Sequence, residues 1–160
     1  MIVVNEKGIA QGNPNILPAP EECITLLNLV NGHRAKHNLA AFVWNNDLYT
    51  IAYARVQEAA LEYSHTRPNK TDWNTIFDEH HMTDYSYVAE NLNKINNAAN
   101  DQDALQRTLD SWVKSEAHNA NLLSANTIAA FAVVTRKPPK APYTSEYIVA
   151  GLFMTPKVKK

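Results

Sequence analysis

Thr127-Ile128-Ala129-Ala130-Phe131-Ala132-Val133-Val134-Thr135 and Glu146-Tyr147-Ile148-Val149-Ala150-Gly151-Leu152-Phe153-Met154 are the two stretches that set the fold class. Both consist of β-branched, aromatic and small residues, the composition of buried strands. Between them lies Arg136-Lys137-Pro138-Pro139-Lys140-Ala141-Pro142, whose prolines cannot donate to a ladder, so this segment is a loop. Two neighbouring strands joined in this way most simply pair antiparallel. Tyr87 to Leu92 adds a third, short strand.

Four stretches upstream read as helix. Asp101 to about Glu116 places Leu105, Leu109, Trp112 and Val113 on one narrow face, with acidic residues in the first turn. Glu21 to about Lys36 repeats Cys23, Leu26, Leu27 and Val30 at helical spacing. Asn46 to about Tyr63 carries the stripe Leu48, Ile51, Ala52 and Ala59, with Asn45 or Asn46 available as its N-cap. Thr71 opens a short helical piece bearing Trp73, Ile76 and Phe77. Helices first and paired strands last make an α+β chain, not the strict alternation of a parallel sheet. Residues 1–20, rich in Gly and Pro, form an extended lead-in. Residues 21–155 form the domain, and 156–160 a basic tail.

Composition removes several function classes. Of 160 residues, 45% are apolar and 19% charged, and the net charge is −1, which argues against nucleic acid or an anionic membrane as main partner. No apolar run approaches the roughly 20 residues of a membrane span. Cys23 is the one cysteine, so no internal disulfide framework exists. Its apolar neighbours Ile24, Leu26, Leu27 and Val30 predict a buried thiol, not a nucleophile. The first residues, Met1-Ile2-Val3-Val4-Asn5-Glu6-Lys7, show no basic region followed by an apolar stretch, and no export signal is legible in them.

Three polar clusters sit at element boundaries, where rigid scaffolds present functional groups. They are Ser64-His65-Thr66-Arg67-Pro68, then Ala89-Glu90-Asn91-Leu92, then Ser115-Glu116-Ala117-His118-Asn119. Two histidines and one or two carboxylates from distant positions suit a metal site or an acid/base pair. A histidine at a helix end equally often satisfies free carbonyls. In order and spacing the clusters, with Trp112-Val113-Lys114-Ser115 leading the third and Asn119-Ala120-Asn121-Leu122-Leu123 closing it, resemble the bacterial branch of the CAP superfamily (SCP domain; cysteine-rich secretory proteins, antigen 5 and class 1 pathogenesis-related proteins). Leu27-Asn28 and Arg34, followed by Trp44, Leu48 and Ala52, extend the resemblance to about residues 22–154.

The resemblance implies a three-layer α/β/α sandwich with a central antiparallel sheet and a cleft lined by histidines and glutamates. It implies His65 and His118 as ligands of a divalent cation such as zinc, and Glu90 and, less directly, Glu116 as catalytic carboxylates. Ser64 and Asn91 then line the cleft, and the chain works outside the cell or at its surface. Several departures bear on this set: Ala89 and Ala117 replace glycines, Asn119 stands where arginine is frequent, and Thr127-Ile128-Ala129-Ala130 replaces a second histidine motif. Three readings stay open. They are a binding module for a small ligand, lipid or protein partner, with or without a metal; a metal-assisted, peptidase-like hydrolase; and an interaction domain whose His/Glu network is structural.

Rival sites are weaker. His33 and His37 lie four apart on one helix face, but beside Gly32, Arg34 and Lys36 they read as solvent-exposed. His80 and His81 are adjacent and diverge, with no zincin spacing. Ser64 beside His65 is no nucleophile elbow. Trp44, Trp73 and Trp112 are read as core.

Overall fold

The computed structural model describes residues 3–4, 10–11, 19–137, 142–143 and 145–158. Strands β1 (Val3–Val4) and β2 (Ala10–Gln11) pair antiparallel within the lead-in. Helix α1 spans Glu21–Lys36, strand β3 Val43–Trp44 and helix α2 Asn46–Leu61. A single 3-10 turn, Trp73–Thr75, leads into α3, Ile76–Glu79. Then follow β4 (Tyr85–Asn96), α4 (Asp101–Lys114), α5 (Glu116–Leu122), β5 (Ile128–Arg136) and β6 (Glu146–Pro156).

Local chemistry explains the helix ends. The Asn45 side chain accepts from Leu48 N at 2.9 Å, and Asn100 accepts from Asp103 N at 2.9 Å, each satisfying an orphan amide of the first turn. Ser115 ends α4 and caps α5, accepting from His118 N at 3.4 Å. The helix expected to run unbroken to Glu116 therefore stops at Lys114. A serine side chain competes with the helical ladder, and here it starts a new helix.

The main sheet has the order β3-β5-β6-β4. β5 and β6 pair antiparallel, as expected from the two decisive stretches, and β4 and β6 pair antiparallel over nearly their whole length. The third strand is longer than Tyr87 to Leu92, because its pairing runs from Tyr85 to Asn96. The two-residue β3 adds a short parallel edge beside β5.

Period-two alternation sends Ala129, Phe131, Val149 and Phe153 to one face of the sheet, against α1, α4 and α5. Ala130, Ala132, Ile148, Ala150, Leu152 and Met154 go to the other face, against α2 and α3. Helices on both faces of a central sheet make the α/β/α sandwich. Trp112 is fully buried, and its indole donates to Leu92 O at 3.0 Å; Trp44 and Trp73 are only partly buried. Cys23 is buried, and burial pushes its thiol up to about 12.

Arg34 departs from the exposed setting expected for it, although Gly32, Lys36 and His37 are exposed. It is 4% exposed, stacks its guanidinium 3.8 Å above the Phe42 ring, and donates to Ala40 O, Leu122 O and Ser124 O. Five fixed donors let it close carbonyls at the end of α5 that no backbone amide reaches. Of the basic tail, Lys157 and Val158 are exposed, and residues 159–160 lie outside the described residues, as do residues 138–141 of the proline-rich loop.

Candidate functional site

Strand β4 is one of the two outer strands of the main sheet, and it carries Glu90 and Asn91 at the centre of the site. Glu90 sits in mid-strand with its side chain fully buried. His65 follows α2, and its Nδ1 lies 2.9 Å from Glu90 Oε1. An ionised carboxylate only accepts, so Nδ1 carries the hydrogen and, in the neutral ring, Nε2 keeps a lone pair. The His65 side chain is 55% exposed, so that lone pair belongs to an accessible ring.

Glu90 is held in turn by Arg55, which the sequence reading missed. Arg55 Nε donates to Oε2 at 2.7 Å and an Nη donates to Oε1 at 2.9 Å. The same guanidinium reaches Glu58 Oε1 at 2.9 Å and Ser64 O at 3.0 Å. Burial works against the Arg55 charge, but the hydrogen bonds to Glu90 and Glu58 outweigh it and hold the guanidinium above its ordinary value. A signal was present in the sequence. Arg55 stands on the apolar stripe of α2, four residues from both Ile51 and Ala59, where a charged side chain must be buried with a partner.

A second arginine braces the loop that carries His65. Arg67, 4% exposed, grips Glu58 and Glu79 with paired bonds of 2.7–3.1 Å and reaches Thr75 Oγ1 at 3.0 Å. Its hydrogen bonds hold the Glu79 carboxyl below the usual carboxylate range. Three carboxylates and two guanidinium groups thus interlock beneath the imidazole. Tyr63 stands at the rim, half-exposed, with the Lys94 ammonium 4.7 Å from its ring centroid. Burial and the nearby Glu90 charge raise its phenol.

His118 comes from the opposite layer, on α5. It is partly buried, and burial together with the charge of His65 lowers its pKa. Asn91, next to Glu90 but facing the other way, donates from Nδ2 to His118 O at 3.1 Å. Asn121, also missed from sequence, donates to Asn91 Oδ1 at 2.8 Å and to Glu90 O at 3.4 Å. His33, part of the rival histidine pair, is partly buried and lies 2.8 Å from Asn119 Oδ1, so it ties α1 to α5.

The structure therefore brings His65, Glu90, Asn91 and His118 together. Ser64 adjoins the site through its carbonyl on Arg55, while its hydroxyl accepts from Thr66 N at 3.0 Å. Glu116 is exposed at the start of α5 and is joined to the cluster by no hydrogen bond or ion pair among the described residues.

A catalytic zinc takes three protein ligands and a water. Among the described residues no group of three His, Cys, Asp or Glu side chains is placed to hold a metal ion. The oxygens of Glu90 are committed to Arg55 and His65. What remains is two imidazoles, and that donor set does not fit a resident zinc.

A helix-covered, mainly antiparallel sheet with a His/Glu/Asn cluster on its outer strand defines a recognisable class. The chain belongs to the CAP family, the cysteine-rich secretory protein family, whose model matches residues 27–149. Solved bacterial structures share the fold. An extracellular protein containing an SCP domain from Bacillus anthracis str. Ames is 20% identical with a TM-score of 0.64 over 84% of this chain. A cysteine-rich secretory protein from Staphylococcus aureus subsp. aureus Mu50 is 22% identical, with a TM-score of 0.62 over 90% of this chain. In both cases the match spans 40% of the other chain's length. An outer surface protein of Borrelia burgdorferi is 17% identical with a TM-score of 0.65, covering 89% of this chain and 98% of its own. No curated protein sequence matches this one significantly.

Proposed function

We propose that this chain is an extracellular or surface-displayed binding domain whose ligand enters the cleft over β4 and contacts the imidazoles of His65 and His118. One observation carries the reading: an accessible imidazole is oriented by a buried carboxylate that is itself clamped at two points by a buried arginine. Burying an ion pair is costly and rarely the best route to stability, so its placement behind an exposed polar ring supports a role in fixing that ring for recognition. The extracellular setting is taken from the bacterial proteins of like fold, two of which are described as extracellular or outer-surface proteins. No helix of the described residues is long and apolar enough to cross a membrane. Hydrolysis with Glu90 as base draws no support from the geometry, because its carboxylate already serves Arg55 and His65.

The test is chemical-shift mapping on isotope-labelled protein, with three probes added separately. These are soluble cell-wall glycan fragments, short peptides, and phosphatidylglycerol vesicles. The reading requires saturable shifts centred on Tyr63, His65 and His118 for one probe, lost in His65→Ala. Binding that maps away from β4, or that survives both His65→Ala and His118→Ala, overturns it.

A further inference from the structure

Glu90 and Asn91 are consecutive on one strand, so their side chains leave opposite faces of the sheet. Each grips a different imidazole-bearing segment: Glu90 holds the ring of His65 from the α2 side, and Asn91 holds the backbone of His118 from the α5 side. The two grips are built differently. The first is an ion pair backed by Arg55. The second is a neutral relay in which Asn121 Nδ2 donates to Asn91 Oδ1 and Asn91 Nδ2 donates to His118 O, a direction fixed because a carbonyl only accepts.

Leu122 is the one buried residue of α5, and its side-chain ties include several polar ones: the relay, His33 to Asn119, and Arg34 to Leu122 O. Apolar burial resists sliding through many small contacts, whereas a few hydrogen bonds fix position by direction and are lost singly.

From this arrangement we infer that Asn121 is a positioning residue for the cleft. Through Asn91 it sets where His118 stands against β4, whereas the side-chain clamp of Arg55 on Glu90 sets His65. The inference rests on the proposed binding cleft, but its test uses no ligand, so the two fail separately.

Asn121 is partly exposed on a helix, and Asn121→Ala and Asn121→Asp both remove the relay's donor without a core cavity. In each, amide exchange of residues 117–122 is expected to quicken about tenfold, the loss of one net hydrogen bond, and the His118 ring resonances to shift and broaden. The His65 Nδ1–H signal stays near that of the parent, and the thermal midpoint falls by only a few degrees. The reciprocal variant, Arg55→Met/Glu90→Met, removes the clamp and both its charges. It should abolish the Nδ1–H preference of His65 and leave α5 exchange unchanged. Unaltered α5 exchange and His118 resonances in the Asn121 variants would overturn the inference. So would an equal disturbance of both rings by either change, since that would make the site a single coupled unit.

Discussion

Replacing Arg55 by alanine strips a buried carboxylate of its partner, and the size of the effect follows from the geometry. The side chains of Arg55 and Glu90 are both 0% exposed, with bonds of 2.7 and 2.9 Å between them. Removing one member of such a pair leaves an uncompensated charge in the interior and costs about 3–5 kcal/mol. Ser64 O and Glu58 lose a donor as well, but Glu58 keeps Arg67 and lies nearer to solvent. Urea unfolding at neutral pH, followed by circular dichroism and by the fluorescence of the buried Trp112, reads the loss. In a chain of this length it corresponds to a fall in Tm of roughly 6–20 °C. Arg55→Met/Glu90→Met removes both charges at similar volume and should be clearly more stable than Arg55→Ala, because nothing charged is left buried. A loss below about 1 kcal/mol in Arg55→Ala, the range of exposed pairs, would refute the reasoning, since Glu90 would then have to be reaching water.

Protonation of His118 should weaken the fold in mild acid. Its native pKa lies below the ordinary 6.5, so the unfolded chain takes up the proton first. Stability then declines as pH falls through about 6.5 and levels off below the native value; His118→Gln should flatten that part of a urea-midpoint profile. Calorimetric titration of chelator-treated protein with zinc should show no micromolar site, whereas tight binding lost in both His65→Ala and His118→Ala would show that a third ligand is recruited. Gly151→Ala should cost about 1–3 kcal/mol by overpacking, since a Cβ there would lie 2.9 Å from a Phe131 ring carbon and 3.2 Å from Trp112; an unchanged denaturation midpoint would mean that the two rings yield freely.

Much of the architecture was legible because the periodicities are clean. Glu21–Lys36 follows its apolar spacing to the residue, and the two late strands announce themselves by composition. The break at Ser115 was not legible, because the helical pattern continues through it and only the serine's hydrogen bond to His118 N ends α4. β3 escaped because two residues carry no periodicity, and its pairing with β5 is a purely tertiary event. At the site, His65, Glu90, Asn91 and His118 stood out as polar clusters expected at element boundaries, although Glu90, Asn91 and His118 lie inside β4 and α5. Arg55 and Asn121 did not, since Glu90 and Asn91 lie 35 and 30 residues from them, and Arg67 was read only as part of a polar cluster, because charge counts do not reveal who meets whom. The burial of Arg34 was hidden for the same reason: its acceptors are backbone carbonyls, which a sequence does not display.

The strand order β3-β5-β6-β4 places the two latest strands of the sheet at its centre. β4 leaves the ribosome well before β6, yet among the described residues its one ladder partner is β6, so it has no strand to join in the meantime. Until then the apolar stripes of α1, α2 and α4 have no sheet to cover. This sandwich is therefore expected to condense once the β5–β6 hairpin closes, not layer by layer during synthesis. A nascent chain halted before residue 146 should be a client for chaperones and proteases, and mutations in that hairpin should slow folding more than equally destabilising ones in α5.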